Sequence, residues 1–407
     1  MNVLHINQSD IYGGAAISGY RLHQALLARG IESKILAGRV ETHSDRVAVT
    51  HRKRYAEIQL ARLSQYAGLS HITQFQSFNL PKHPFYQAAD VLNFHNLHTG
   101  FFNYLAIPKL TEHKPAIFTL HDMWSFTGHC VYSYDCDRWK TGCGKCPYPD
   151  SYPEIKIDNT QIEWKLKNWV YSRSNLTIVT PSSWLYEQAK VSMLNRFPIH
   201  HIPHGIDTEA YQPLDQEQCR TLLGIPSGKK VLMFVSFLLN DTRKGSDVLV
   251  KALQQLPTTL KSELVLLTIG HGSDRLSETV GMQTLNLGHV SSDRLKAIAY
   301  SASDLFLLPT RADNLPLVLQ ESLACGTPMV ASKVGGVPDL VRHGKTGYLV
   351  QPNDADDFRQ GIIMLLDDHS LRQTMRRECR DITLQEYTLE LQTQRYLDLY
   401  QQALQSR

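Results

Sequence analysis

Two acidic residues, Asp313 and Glu321, stand with seven residues between them in Asp304–Ser332, DLFLLPTRADNLPLVLQESLACGTPMVAS. The stretch reads as strand, acidic turn, helix, glycine turn, strand. Asp304–Leu308 is an apolar run of buried-strand length that stops at Pro309. Asp313 or Asn314 is expected to cap a helix whose first turn holds Pro316, where a missing N–H costs little. Gly326 ends that helix, and Pro328–Ala331 opens the next strand. A helix N-terminus at the C-terminal end of a strand favours anions. Carboxylates beside it can accept hydrogen bonds from sugar or ribose hydroxyls. An ordinary capped helix packed on a sheet would give the same pattern, so the rest of the chain must decide.

Other groups able to do chemistry lie in the first half. His121 and Asp122 end an apolar strand, where open α/β sheets collect ligands. A hydrogen-bonded structural histidine is the plainer reading of such a position, and His95 and His98 are of the same type. Four of the seven cysteines, Cys130, Cys136, Cys143 and Cys146, crowd into GHCVYSYDCDRWKTGCGKCP. A C-x2-C pair with two more thiols in reach suits tetrahedral zinc; free thiols and disulfides are the alternatives.

The elements that must position these groups form two similar halves. The first opens with a strand at Val3–Asn7, a turn holding Gly13 and Gly14, and a helix to about Arg29. Ala15, Leu22, Ala25 and Leu26 form its apolar stripe. A strand near Ile35 follows, then strand-bearing units at Val91–His98, Ala116–Asp122 and Leu176–Leu185. The second half has strands at Val231–Phe237, Leu264–Ile269, Thr284–Leu287, Leu305–Leu308 and Met329–Ala331, and a helix at Asp354–Leu366. Alternating strands and helices predict an α/β fold with parallel, doubly wound sheets. Pro203–Pro213, rich in turn residues, reads as the crossing between domains at 1–202 and 203–388.

With these segments in view, the chain resembles the retaining glycosyltransferases of family 4. Glu321 and the following SLACGTPMVAS match the family signature, whereas Asp313 replaces a glutamate with a side chain one methylene shorter. The resemblance implies the GT-B architecture, two Rossmann-like domains facing across a cleft, with the helix from about Leu389 packing back on the first domain. It implies that Lys244 in SFLLNDTRKG serves the donor diphosphate. A compact cation suits a phosphate, and Arg243 can add contacts. The arginine that the family often carries upstream is missing, so either Arg243 substitutes for it or Lys244 and helix dipoles carry more. His121 would reach the donor sugar. Gly13 and Gly14 would lie near the diphosphate and acceptor. Gly270 and Val290 would line the nucleotide site, and Glu321 would hold the ribose. Asp313, with Asn314, Leu315, Pro316 and Leu317, would hold the donor sugar. A similar cysteine loop occurs in family members of exopolysaccharide assembly, the colanic acid type included.

With 42 Lys and Arg against 39 Asp and Glu, the net charge of +3 does not point to nucleic acid. The YGGAA turn lacks the dinucleotide fingerprint spacing, which argues against a nicotinamide dehydrogenase. No apolar run approaches a membrane span and the chain starts with a strand, so the expected location is the cytoplasm. The basic run His51–Arg54 precedes an apolar face of Ala56, Leu60, Leu63 and Ala67, which points to peripheral contact with the inner membrane surface. The expected reaction moves a sugar from a nucleotide-diphosphate donor to a glycan or lipid-linked hydroxyl, with no cofactor needed for the chemistry. A nucleotide-sugar 2-epimerase on the same fold and a non-catalytic nucleotide-sugar-binding subunit are the alternatives.

Overall fold

The computed structural model describes residues 1–50, 55–69, 71–98, 100–238, 242–271 and 276–405. The chain divides into two compact units, Met1–Gly205 with Leu389–Arg407, and Ile206–Thr388.

Unit 1 is built on a seven-stranded sheet of β1 (Asn2–Ser9), β2 (Glu32–Arg39), β3 (Val47–Val49), β4 (Val91–Phe94), β5 (Ala116–Thr119), β6 (Thr177–Thr180) and β7 (Ile199–His201). The order is β3-β2-β1-β4-β5-β6-β7, and every pair is parallel. Period-2 alternation sends Leu4, Ile6, Leu92, Phe94 and Phe118 to one core. Val3, Val91, Ile117 and Val179 go to the other, with Leu22 and Leu26 of the helix Gly14–Ala28 and Tyr396 and Tyr400 of the helix Leu389–Gln405. Two polar bonds fix that last helix: Thr119 Oγ1 lies 2.9 Å from Tyr396 Oη, and Asn93 Nδ2 donates to Tyr400 Oη at 2.8 Å. On the first helix Ala15 and Ala25 are only partly buried. Its inner face is Ala16, Ser18, Gly19, Leu22, His23 and Leu26, because it also covers polar groups at the strand ends.

Unit 2 repeats the plan with β8 (Lys230–Leu238), β9 (Leu264–His271), β10 (Gln283–Asn286), β11 (Leu305–Leu308), β12 (Met329–Ser332) and β13 (Gly347–Val350), ordered β10-β9-β8-β11-β12-β13, all parallel. The run Leu305–Leu308 is wholly buried, as expected of a strand with helices on both faces. In each sheet the strand order reverses direction once, between β1 and β4 and between β8 and β11, which is where open α/β sheets bind ligands.

Three short strands, β3, β7 and β13, escape the sequence pattern. β3 and β7 have three residues, below the length at which alternation is legible, and β13 opens with Gly347, so it lacks the unbroken apolar run that marks β11. No helix among the described residues is long and apolar enough to cross a membrane. The basic run His51–Arg54 lies outside the described residues. On the helix Tyr55–Tyr66, Leu60 and Leu63 are 44% and 68% exposed, so this face is not a core face.

Candidate active site

In unit 2 the chemistry gathers where β8 and β11 end. A short turn, Thr242–Lys244, leads into the helix Ser246–Gln254. Gly245 between them has φ +69, and a Cβ there would sit 1.9 Å from the Pro309 carbonyl oxygen. Only glycine allows this approach, which brings the Arg243–Lys244 turn against the end of β11. Lys244 Nζ donates to Asp313 Oδ2 at 2.7 Å, and Arg243 Nη1 lies 3.4 Å from Asp313 Oδ1. Thr310 Oγ1 donates to the same carboxylate at 3.1 Å, and Arg243 Nη1 also donates to the Ala312 carbonyl at 3.0 Å. Burial alone would raise the Asp313 carboxyl; the Lys244 and Arg243 charges and the hydrogen bonds outweigh it and hold it below the ordinary range. Two cations on one carboxylate leave a net positive charge, suited to a polyanionic ligand.

The acidic turn departs from its expected form. The helix is Leu317–Ala324, Pro316 occupies the N-cap position in extended conformation, and no side chain caps it. Asp313 does not cap because Lys244 and Thr310 engage its carboxylate, and Pro316 lies before the helix rather than in its first turn. Asn314 and Leu315 are buried in the same turn. Glu321 lies on the helix body, buried, and accepts from Tyr300 Oη at 3.2 Å. The end of the helix follows expectation, with Gly326 at φ +70.

Gly270 closes β9 with φ +137, and its N–H donates to the Gly288 carbonyl at 2.8 Å. Gly272 lies outside the described residues. Val290 is buried just before the helix Asp293–Ala302, which Ser292 caps through the Leu295 N–H. The sequence reading missed two neighbours. Gly335, φ +50, would clash through a Cβ only 1.9 Å from the Asp313 carbonyl oxygen, so the loop after β12 seats on the Asp313 backbone. Its signal was the Gly335–Gly336 pair after a strand. Arg311 pairs with Asp247 through two bonds of 2.8 and 2.7 Å; a lone arginine in a turn carries no sequence signal.

In unit 1, Gly13 has φ +90 and occupies the N-cap position of the helix Gly14–Ala28, with both glycines exposed. Around the ends of β1, β4 and β5 lies a column of imidazoles. His5 Nδ1 is 3.0 Å from His95 Nε2, and His95 Nδ1 is 3.0 Å from His121 Nε2. His121 stacks on His204 with ring centroids 5.1 Å apart, and His204 Nδ1 is 2.8 Å from Ser18 Oγ. Burial pushes His5 down to about 3 and His121 down to about 4, and holds His95 and His204 well below 6.5. All four rings are therefore neutral at pH 7. His98 Nε2 bonds Asp122 Oδ2 at 3.0 Å, while Asp122 Oδ1 accepts from the Trp124 N–H at 2.9 Å. The structure thus joins His95 to His121 and pairs His98 with Asp122. It also adds His5 and His204, which the sequence reading left aside.

The four thiols of the cysteine loop line one cavity with His129. None forms a disulfide. Cys143 adopts φ +52 and accepts from the Gly128 N–H at 3.2 Å; Cys146 Sγ lies 3.1 Å from His129 Nε2. Burial raises the Cys130 thiol to about 12 and the Cys143 thiol to about 11. Among the described residues, no three His, Cys, Asp or Glu side chains stand ready to hold a metal ion.

Comparison with known families matches residues 12–210 to Glycosyltransferase Family 4 and residues 215–381 to Glycosyl transferases group 1. This chain is a glycosyltransferase. Along its length it is 28% identical over 375 residues to WcaC of Escherichia coli (strain K12), whose name refers to colanic acid biosynthesis. The match covers 85% of this chain and 87% of that protein. Among solved structures, sucrose-phosphate synthase from Thermosynechococcus elongatus superposes with TM-score 0.72 at 17% identity, covering 100% of each chain. Anabaena Alr3699/HepE in complex with UDP-glucose gives TM-score 0.67 at 17% identity, again over 100% of both. The glycosyltransferase therefore has the two-domain α/β fold called GT-B.

Proposed function

We propose that this glycosyltransferase moves a sugar, with retention, from a nucleotide-diphosphate donor to a hydroxyl of a glycan or lipid-linked acceptor in cell-surface polysaccharide synthesis. The observation that carries the reading is the Arg243–Lys244–Asp313 cluster at the strand-order reversal of unit 2. Its two cations would turn from Asp313 toward the diphosphate and stabilise the leaving group, an electrostatic role. Glu321, steadied by Tyr300, would take the ribose hydroxyls, near a nucleotide pocket of Gly270 and Val290. Asp313 and the Asn314–Leu317 backbone would take the donor sugar. Unit 1 would supply His121 for the sugar and the Gly13–Gly14 turn for diphosphate and acceptor. In this reading the acceptor attacks on the face the diphosphate leaves, and the departing phosphate oxygen takes the acceptor proton. WcaC supports the polysaccharide assignment, and the UDP-glucose held by HepE supports the donor class.

Two further parts belong to this reading. Cys130, Cys136, Cys143 and Cys146 would hold one structural zinc. The support is that all four thiols line one cavity, on which they would have to close around the ion; such a group adds folding energy and takes no part in the transfer. The exposed Leu60 and Leu63 would touch the cytoplasmic membrane face while an acceptor is captured.

A thermal-shift screen of UDP-, GDP- and ADP-sugars tests the donor assignment, since a ligand of the folded state raises Tm by mass action. One nucleotide class should raise Tm in the native chain and not in Lys244→Ala. No shift with any of them would sink the reading. Incubating the stabilising sugar without acceptor separates transfer from epimerisation, because an epimerase would change the sugar by itself.

A further inference from the structure

We propose that Asp122 and Tyr152 form a subsite for a sugar ring of the acceptor, with the Asp122 carboxylate accepting from its hydroxyls and the Tyr152 ring stacking on its C–H face. The proposal rests on the transfer reading above and narrows its acceptor to a glycan.

The subsite lies in unit 1, past the carboxyl ends of β4 and β5 and beside the strand-order reversal, where open α/β sheets bind ligands. Asp122 is the residue after His121, to which the donor sugar is assigned above, and an acceptor must lie beside that sugar. The carboxylate is held on two sides. His98 Nε2 is 3.0 Å from Oδ2, and the Trp124 N–H donates to Oδ1 at 2.9 Å. A carboxylate only accepts, so His98 donates from Nε2. His98 is buried, with its ring centroid 5.7 Å from that of Trp124. Lys167 Nζ lies 3.7 Å from the Trp124 ring centroid and donates to the Trp124 and Thr127 carbonyls at 2.6 and 2.9 Å. Tyr171 Oη donates to the Ser125 carbonyl at 2.8 Å. These bonds leave the turn that carries Asp122 little freedom.

Those two bonds use two of the roughly four lone pairs of a carboxylate, and the Asp122 side chain stays 11% exposed, so it still offers acceptor capacity to a ligand. The segment after the cysteine loop brings the ring. The Val131 N–H donates to the Tyr152 carbonyl at 3.1 Å, the Met123 N–H donates to the Val131 carbonyl at 2.9 Å, and His129 Nδ1 lies 3.0 Å from the Pro153 carbonyl oxygen. Tyr152 is thereby tied to the residue after Asp122. Its ring stands edge-on to His98, centroids 6.0 Å apart and planes at 77°, and is 56% exposed. Partial desolvation and the Asp122 charge push its phenol up, so at pH 7 it remains an O–H donor. A sugar ring has a hydroxyl-lined edge and C–H faces. A held carboxylate takes the first, and an aromatic ring with a polar tip takes the second. The same carboxylate repels phosphate, which fits an uncharged sugar rather than a diphosphate or a lipid phosphate.

The test is saturation-transfer NMR on the full-length protein in deuterated water, with the methyl glycosides of glucose, galactose, mannose and fucose as probes and irradiation at aromatic proton frequencies. At least one glycoside should show saturation on its ring C–H protons, and Tyr152→Leu should remove most of it. Tyr152 is exposed, so this variant should fold, with circular dichroism as the check. Asp122→Asn keeps the shape of the side chain but puts an N–H donor where an oxygen accepted. In transfer from the stabilising nucleotide sugar to that glycoside, each substitution should raise the acceptor KM about tenfold and leave the donor KM little changed, the loss of about one contact. Absence of aromatic saturation on every glycoside would overturn the proposal. So would saturation and an acceptor KM that both survive Tyr152→Leu and Asp122→Asn, or transfer to a long-chain alcohol and to none of the glycosides. If no nucleotide sugar shifts Tm, the transfer reading falls instead, and glycoside binding, which needs no donor, still decides the subsite.

Discussion

Lys244 and Asp313 are 69 positions apart, and each was legible alone: Lys244 by its place after a strand, Asp313 by its offset from Glu321. Their ion pair was not legible, because it depends on β8 and β11 lying side by side and on Gly245 allowing the close approach. The pair sets the expected cost of substitution. Lys244→Ala should reduce transfer by ~10²–10³, the range for removing one group that faces developing charge. It should also weaken folding, since the buried Asp313 carboxylate loses its main partner. Glu321→Ala should reduce donor use. Tyr300→Phe removes a hydrogen bond to the Glu321 carboxylate, so it should weaken donor binding by up to ~1.5–3 kcal/mol and leave the fold intact. Steady-state kinetics over donor concentration, with circular dichroism as the folding check, reads each of these. Folded Lys244 and Glu321 variants with unchanged turnover would remove both from the site.

At the scale of elements, the central apolar strands were readable because burial on both faces leaves unbroken runs such as Leu305–Leu308. The cysteine loop was readable as a cluster but not as a shape. Its turns rest on Tyr134, Cys143 and Lys145 at positive φ, which no periodicity announces. Protein purified without chelator should contain about one zinc per chain, measured by elemental analysis. Because burial pushes the free Cys130 and Cys143 thiols up, zinc uptake should release protons and grow tighter with rising pH. A metal-free, active protein whose four thiols react freely would show a plain set of reduced cysteines. The helix Tyr55–Tyr66 gives a second test at this scale. With Leu60, Leu63 and Tyr66 exposed, the chain should float with anionic liposomes, and Leu63→Asp should abolish flotation while leaving the fold unchanged. Equal, negligible binding to anionic and neutral vesicles would end the membrane proposal.

At the scale of the whole molecule, the two units share a topology and differ in what their interiors titrate. Unit 1 buries His5, His23, His71, His95 and His204 and half-buries His121, all with depressed pKa values: His5 about 3, His23 and His121 about 4, the others well below 6.5. Once unfolded, these rings bind protons below about pH 6.5, while in the folded unit they do not. The unfolded state thus holds more protons in that window, and stability falls as pH drops. Each ring contributes up to about 1.4 kcal/mol per pH unit. In unit 2 the carboxylate of Asp313 is depressed by its cations. Its contribution is present above the ordinary carboxylate pKa and is lost only as pH falls through its lower folded value. Unit 1 should therefore open first on acidification, between about pH 6.5 and 4, with unit 2 still protected. Hydrogen exchange resolved by segment, stepped from pH 7 to pH 4, should show early loss of protection in β1, β4 and β5 and later loss in β8 and β11. Simultaneous loss in both sheets, or earlier loss in unit 2, would mean that the buried imidazoles do not set the acid limit of this fold.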